Sequence, residues 1–226
     1  MRHLILTLLT LCVSVLEFKG SYSNHSFTTT FYGGIYINNE QAWIIEPEVT
    51  WNFHKYLGMS LGLEITRQYN QPNRLTLIDG HEAELTDNER NIGWIIFKPN
   101  FFVKTPNLWL NDSKDIGLWL QVSGGISIAC PFRNSLTYEI KEFNGNVGST
   151  VAYRTFKNMG LNWLYWNSRV SLTVSFDRFL LGIGYGLSNF DYYSCRRNIR
   201  INGNTKFSVP PKLMSQSIFI SMGLKF

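Results

Sequence analysis

The sequence is poor in charge, and it has no long apolar run outside its first residues. Charged residues make up 16% of the chain, against roughly 25% in ordinary globular domains. The net charge of +5 is too small an excess to indicate nucleic-acid binding. After residue 23, no segment reaches the roughly 20 apolar residues that a membrane-spanning helix requires. No linker divides the chain, so one domain is predicted, and we expect no metal and no cofactor.

The first residues have the pattern of a secretory signal. Arg2 and His3 precede an apolar run from Leu4 to Leu16. That run is too short to span a bilayer, and small residues suited to cleavage follow it. We therefore expect residues 1–23 to be a signal peptide that is removed after Ser23, and residues 24–226 to form the mature domain.

Eight segments of the mature chain alternate between apolar and small or polar residues. Leu57, Met59 and Leu61, for example, alternate with Gly58 and Ser60. A period of two is the signature of a β-strand, and about 10 residues is the length of a tilted strand that crosses a membrane. The segments are 27–38, 43–53, 57–66, 92–104, 116–130, 164–176, 179–188 and 217–226. They predict an all-β fold, an eight-stranded antiparallel up-and-down transmembrane β-barrel.

The apolar face is predicted to point outward, towards lipid. The opposite face carries small residues, which suit a narrow lumen, and aromatic content is high at 15%. The aromatic residues gather near the ends of the apolar bands, as in an interfacial girdle. They are Trp51, Phe53, Phe176, Phe179 and Phe226 at one end, and Tyr36, Trp43, Trp163 and Trp166 at the other. A soluble ligand-binding barrel with its apolar face inward is the competing interpretation.

Connection lengths predict the orientation. The connections after strands three, five and seven, 67–91, 131–162 and 189–212, are long and fall at one end of an even-stranded barrel. Because membrane barrels keep long loops outside and short turns in the periplasm, both termini are expected in the periplasm.

Charged side chains on the small-residue face are expected to form a polar network in the lumen. Buried charges must be paired, since an isolated ion in a low-dielectric interior is costly. We therefore expect Glu46, Glu48 or Glu64 to pair with Lys98 or Arg169, forming a plug, and a proton path or an acid–base pair is a weaker alternative. The full set is Glu46, Glu48, Glu64, Lys98, Gln121, Arg169 and Lys225.

The last strand places Ile218, Ile220, Met222, Leu224 and Phe226 on one face, and the sequence ends on the aromatic residue. This ending resembles the C-terminal assembly signal of bacterial outer-membrane barrels. The mature chain as a whole resembles the small OmpA/OmpX/opacity-type barrels of Gram-negative bacteria, and we expect it to be without the periplasmic domain of full-length OmpA-type proteins. The resemblance implies an outer-membrane location, contact with outer-membrane lipid and lipopolysaccharide, insertion by the barrel-assembly machinery, and a monomer.

The connection after strand seven is basic. Lipopolysaccharide phosphates are candidate ligands for this basic loop, and simple solvation is the alternative. Its cations are Arg196, Arg197, Arg200, Lys206 and Lys212. Cys130 and Cys195, the cysteines of the mature chain, both fall near this end of the barrel. A disulfide and two free thiols are both compatible with the sequence.

We expect a non-enzymatic barrel that displays its long loops to an unknown extracellular partner, or that supports membrane integrity. A lipid A-modifying enzyme is the alternative class. Ser188 lies in a segment that faintly resembles the nucleophile region of lipid A deacylases, but Leu187 precedes it where those enzymes have a histidine. A serine nucleophile needs a base within hydrogen-bond reach, and only His81 is expected near this rim.

Overall fold

The structure, a computed structural model, describes residues 26–37, 42–68, 74–76, 82–85, 91–144, 147–201, 205–206 and 209–226. The predicted signal peptide lies outside these residues. Among the residues described, no helix is long and apolar enough to cross a membrane.

Eight long strands close into one antiparallel barrel. They are β1 (Ser26–Tyr36), β2 (Trp43–His54), β3 (Leu57–Gln68), β4 (Ile92–Lys104), β5 (Ile116–Pro131), β6 (Leu164–Phe176), β7 (Phe179–Ser188) and β8 (Ser215–Lys225). Each strand pairs with its neighbours in sequence, and β8 returns to pair with β1, so that no barrel edge is left open. The predicted up-and-down topology is confirmed, and the predicted and observed strand bounds agree within about two residues.

The alternation of the sequence sorts side chains between the two faces of the barrel. Along β6, Trp166, Val170 and Leu172 point outward and are exposed, whereas Arg169 and Ser171 are buried in the lumen. The same sorting runs through the β7 and β8 ladder, in which Ile183 pairs with Ile220. Because side chains of a strand alternate strictly, the register of each ladder fixes an apolar exterior and a polar interior together.

Pro99 interrupts the barrel ladder without shifting it. Phe97 pairs with Ile128 and Asn100 with Gly125, and the two intervening positions of β4 are left out of the ladder with β5. Proline has no amide hydrogen, so a gap is expected at this point. The register on both sides of the gap is the same, so the proline weakens the pairing without adding a bulge.

The barrel has two unlike ends. At one, which we call the terminal end, β1 begins and β8 finishes, and the turn between β6 and β7 is only two residues long. Asp177 in that turn has a φ of 52°, a left-handed conformation that Asp tolerates better than most residues. At the opposite end, the loop end, lie the connections 37–42, 69–91, 132–163 and 189–214.

Two of the long connections, predicted as loops, form a second sheet at the loop end. Four strands, 74–76, 82–85, Ser135–Asn144 and Val147–Lys157, pair antiparallel, and we call them the loop-end sheet. Leu136, Tyr138 and Ile140 are buried against Ile199 of the connection between β7 and β8. The three long connections therefore pack as one body.

Residues 189–199, which we call the plug segment, fill the loop end of the lumen. The Phe190 ring makes edge contacts with Trp94 and Tyr165, at centroid distances of 5.2 and 5.0 Å. The Trp94 indole N–H donates to the Tyr192 carbonyl at 2.9 Å. The lumen is closed at this end by an aromatic core rather than by solvated loop.

Candidate functional site in the barrel lumen

Lys98 lies between carboxylates of two β-strands in the middle of the lumen. β4 carries Lys98 inward, between Glu46 of β2 and Glu64 of β3. Its Nζ lies 3.0 Å from Glu46 Oε2 and also contacts Glu64 Oε2. Glu46 and Glu64 are almost completely buried, with side chains 2% and 0% exposed. This lysine thus supplies the positive charge that two buried carboxylates require.

Arg169 approaches the same carboxylates from the far wall. β6 carries it inward, and its guanidinium donates to Glu46 Oε1 at 2.6 Å and to Glu48 Oε2 at 3.4 Å. The guanidinium carbon also lies 4.4 Å from the ring centroid of Tyr32 and 5.1 Å from that of Phe219. Such stacking suits a guanidinium, which is planar and weakly hydrated.

Two tyrosines complete the network. Tyr32 donates its hydroxyl hydrogen to Glu48 Oε1 at 2.8 Å, and Tyr36 donates to Glu64 Oε1 at 2.6 Å. The prediction that Tyr36 belongs to the outer aromatic girdle is wrong, because its side chain is buried in the lumen. Both tyrosines occupy even positions of β1, as do the inward residues Thr28 and Thr30, and this period is the sequence signal that could have placed them inside.

The network groups three carboxylates with two cations and two hydroxyl donors. The five charged residues that were predicted to pair meet within it, and we call this group with Tyr32 and Tyr36 the lumen network. They are Glu46, Glu48, Glu64, Lys98 and Arg169. A cavity of about 30 Å³ lies beside it, with Ser127, Asn167 and Ser217 among its lining residues. That volume is room for one or two water molecules. The arrangement is a bracing network between opposite walls.

Gln121 and Lys225, the other members of the predicted set, lie apart from the lumen network. They line a separate chamber of about 70 Å³ at the terminal end, together with Lys104 and Trp119. The lumen is therefore divided into an aromatic core at the loop end, an ion-pair layer in the middle and a basic chamber at the terminal end.

The first arginines of the basic connection are bound within the protein. Arg196 is buried, and its guanidinium donates to the Asn91 carbonyl at 3.2 Å. Two nitrogens of the Arg197 guanidinium donate hydrogen bonds to the buried carboxylate of Asp191, at 2.6 and 2.7 Å. These hydrogen bonds raise the pKa of Arg197. Both guanidinium groups are thus engaged within the protein, and contact of this connection with lipopolysaccharide stays a prediction. Arg200 and Lys212 are exposed, and the side chain of Lys206 lies outside the described residues.

Cys130 and Cys195 are both free thiols. Cys130 is exposed on the outer face of β5, and Cys195 is buried in the plug segment. The disulfide alternative is therefore not realised in this structure, because the two side chains lie on opposite sides of the barrel wall. Burial raises the pKa of the Cys195 thiol to about 12.

The Ser188 hydroxyl takes part in backbone hydrogen bonds. It donates to the Trp166 carbonyl at 2.7 Å and accepts from the Phe190 amide at 3.0 Å. His81, the base that the enzyme alternative invoked, lies outside the described residues. The contacts of Ser188 are those of a residue that fixes the start of the plug segment.

The terminal strand is part of the barrel to its last residue. Ile218, Ile220, Met222, Leu224 and Phe226 are all exposed on the outer face. The Phe226 amide donates to the Phe27 carbonyl at 3.0 Å, next to the β1 and β8 ladder. The residues proposed as the assembly signal thus form one outward stripe at the seam where the barrel closes.

No protein-family model matches the chain, and a search of curated proteins finds no match. Among solved structures it is similar to Neisserial surface protein A, at 8% identity and a TM-score of 0.44 over 90% of this chain and 98% of that one. It is similar to the N-terminal β-barrel domain of Pseudomonas aeruginosa OprF, at 9% identity and a TM-score of 0.43 over 89% of this chain and 97% of that one. It is also similar to the outer membrane enzyme PagL, at 10% identity and a TM-score of 0.43 over 87% of this chain and 98% of that one.

Proposed function

We propose that the protein is an outer-membrane β-barrel of a Gram-negative envelope, with a filled lumen and an interaction surface on its loop end. The observation that carries this proposal is the outer face of the closed barrel, which is covered by exposed apolar side chains on every strand. Phe31, Leu61, Phe101, Ile183 and Ile220, for example, are each more than half exposed. In water this band would be a very large apolar patch, whereas in lipid it is the expected surface.

Aromatic side chains at both rims support the membrane placement. Trp51, Phe176 and Phe179 are exposed near the terminal end, and Trp163 and Trp166 near the loop end. Tryptophan and other aromatic rings favour the boundary between headgroups and acyl chains. The soluble-barrel alternative requires an apolar interior around a ligand, and the charged lumen network occupies that place instead.

The contents of the lumen support a structural protein rather than a channel. The plug segment, the lumen network and the small size of the two cavities leave little room for a solute path. Purified protein in planar lipid bilayers is expected to give no large, steady conductance. Long-lived channels that open at low voltage would contradict this part of the proposal.

The loop-end sheet is the surface best suited to a partner. It is built from two of the long connections, packs against Ile199 of the third, and is braced by the ion pair between Lys141 and Glu84, at 2.6 Å. Its outer strand, Val147–Lys157, exposes Val151 and Tyr153. Tyrosine is one of the side chains that most often anchor protein interfaces, so exposed Tyr153 is the candidate anchor of this surface.

Cell adhesion tests this role. Bacteria that produce the chain are expected to bind cultured epithelial monolayers at least tenfold better than bacteria without it. The double variant V151S/Y153S is expected to lose most of the gain, whereas K55S, at the opposite end of the barrel, keeps it. Equal adhesion with and without the protein would count against a surface-interaction role, and altered lipid A mass spectra would favour the enzyme alternative.

Orientation is tested on intact cells. A cysteine placed at Tyr153 is expected to react with a membrane-impermeant maleimide, because the loop end is proposed to face outward. A cysteine at Lys55, in the turn after β2, is expected to react only after the outer membrane is permeabilised. The opposite pattern would invert the proposed topology, in which both termini are periplasmic. Insertion by the barrel-assembly machinery and a monomeric state belong to the same proposal.

A further inference from the structure

The chamber at the terminal end of the lumen is rich in hydrogen-bond donors and carries unbalanced positive charge. It has a volume of about 70 Å³, enough for several water molecules. Lys104, at the end of β4, and Lys225, at the end of β8, enter it from different strands. The hydroxyl groups of Thr28, Thr50, Thr173 and Ser221 line the wall around them.

The two lysines lack the carboxylate partners that Lys98 has. Their ammonium nitrogens lie 5.9 and 5.1 Å from the ring centroid of Trp119, so both positive charges crowd around one indole. Lys104 donates to Asn52 Oδ1 at 2.9 Å. Asp177 is close enough to act electrostatically on Lys225, but within the described part of the chain neither lysine forms an ion pair.

Trp119 supplies a second, independent observation. Its side chain is 93% buried, since 7% of its surface is exposed, and its indole N–H has no hydrogen-bond partner among the described residues. A buried donor without a partner costs about 1–3 kcal/mol. Trp119 lines the chamber beside both lysines, so this donor belongs to a side chain of the chamber wall.

We propose that this chamber is a binding site for a small soluble oxyanion of the phosphate class. A phosphate would neutralise Lys104 and Lys225 together and accept hydrogen bonds from the surrounding hydroxyls and from the Trp119 N–H. Charge-assisted hydrogen bonds of this kind are the strong ones in proteins. The lumen network has no such need, because its cations already face three carboxylates. This site is separate from the loop-end surface and does not depend on it.

Nuclear magnetic resonance of protein labelled with ¹⁵N-tryptophan in maltoside micelles tests the proposal. The indole resonance of Trp119 is assigned by its loss in W119F. Sodium phosphate is then titrated at constant ionic strength maintained with sodium chloride. A saturable shift of the Trp119 resonance is expected, and sodium acetate is expected to shift it less at equal concentration.

Matched lysine variants locate the binding. K104Q and K225Q are each expected to raise the Kd for phosphate at least tenfold, whereas K55Q, an exposed lysine at the same end, leaves it unchanged. Heat-modifiable gel migration confirms that each variant is folded. If a variant fails to fold, the wild-type titrations with phosphate and acetate decide whether the site binds phosphate. Absence of a saturable phosphate shift, a shift by acetate alone, or a phosphate Kd in K104Q and K225Q equal to that of the wild type would overturn the site.

Discussion

Arg169 of β6 and Glu46 of β2 meet across the lumen, with 2.6 Å between the guanidinium nitrogen and the carboxylate oxygen. The two strands are not neighbours in the barrel, so this ion pair braces opposite walls. Lys98 holds the other oxygen of Glu46 at 3.0 Å. Each oxygen of this buried carboxylate therefore has a charged donor, which is the condition under which a buried ion pair is tolerated.

Removal of Arg169 is expected to be strongly destabilising. R169M leaves Glu46 and Glu48 buried without their guanidinium, and breaking a buried pair in this way typically costs about 3–5 kcal/mol. R178A, at an exposed turn residue, is expected to change the free energy of unfolding by less than about 0.5 kcal/mol. Urea unfolding in lipid vesicles measures both.

The cause of that loss is tested by a repair variant. If uncompensated charge is responsible, R169M combined with E46Q and E48Q is expected to recover part of the lost stability. The interpretation of the lumen network would be wrong if the triple variant were less stable than R169M, or if R169M behaved like R178A.

Loss of the Tyr36 hydroxyl is expected to lower the free energy of unfolding, because Glu64 loses a hydrogen-bond donor. Y36F keeps the ring but leaves Glu64 Oε1 without the 2.6 Å hydrogen bond, at an expected cost of about 1–3 kcal/mol. Y185F, on the outer face of β7, is the matched control and is expected to be nearly neutral. The same vesicle unfolding assay compares them, and equal effects would show that the Tyr36 hydrogen bond contributes nothing.

Asp191 is expected to hold the plug segment in the barrel mouth. D191N removes the charge that the two Arg197 nitrogens contact, and a bidentate charged pair is stronger than a neutral one. Trypsin is expected to cut after Arg196, Arg197 or Arg200 about tenfold faster in D191N than in the wild type. D115N, at an exposed turn residue, should leave the rate of cleavage unchanged, and equal rates in all three proteins would mean that Asp191 does not anchor the segment.

Cys195 is expected to be unreactive in the folded protein. Because burial raises the pKa of its thiol to about 12, the nucleophilic thiolate is nearly absent at pH 8. Water-soluble iodoacetamide is therefore expected to modify it only after unfolding, and mass mapping follows the modification. Migration on gels should be the same with and without reductant. A Cys130–Cys195 disulfide peptide would contradict the free thiols.

The sequence was sufficient to predict the barrel, because the alternation of each strand is a local property and eight strands repeat it. It also placed Glu46, Lys98 and Arg169 on inward positions, from which their contact across the lumen follows. The pairing of Glu82 with Lys141 in the loop-end sheet depends on residues far apart in sequence, which no local pattern reveals.

The plug segment was missed for a related reason. Its arginines looked like solvated loop cations, because Asp191 and Arg197 become partners only when the chain turns back on itself. The aromatic residues Phe190, Tyr192 and Tyr193 were the available signal, since three such rings in a loop indicate burial.

Spin labelling along β8 in lipid bilayers tests the lipid-facing barrel most directly. Single nitroxide labels at Ile220, Ser221, Met222, Gly223 and Leu224 are compared for their accessibility to oxygen, which concentrates in the membrane, and to a water-soluble nickel chelate. Labels at Ile220, Met222 and Leu224 are predicted to be accessible to oxygen, with those at Ser221 and Gly223 protected in the lumen. Oxygen accessibility that peaks at Ser221 and Gly223, or that shows no period of two, would contradict the account.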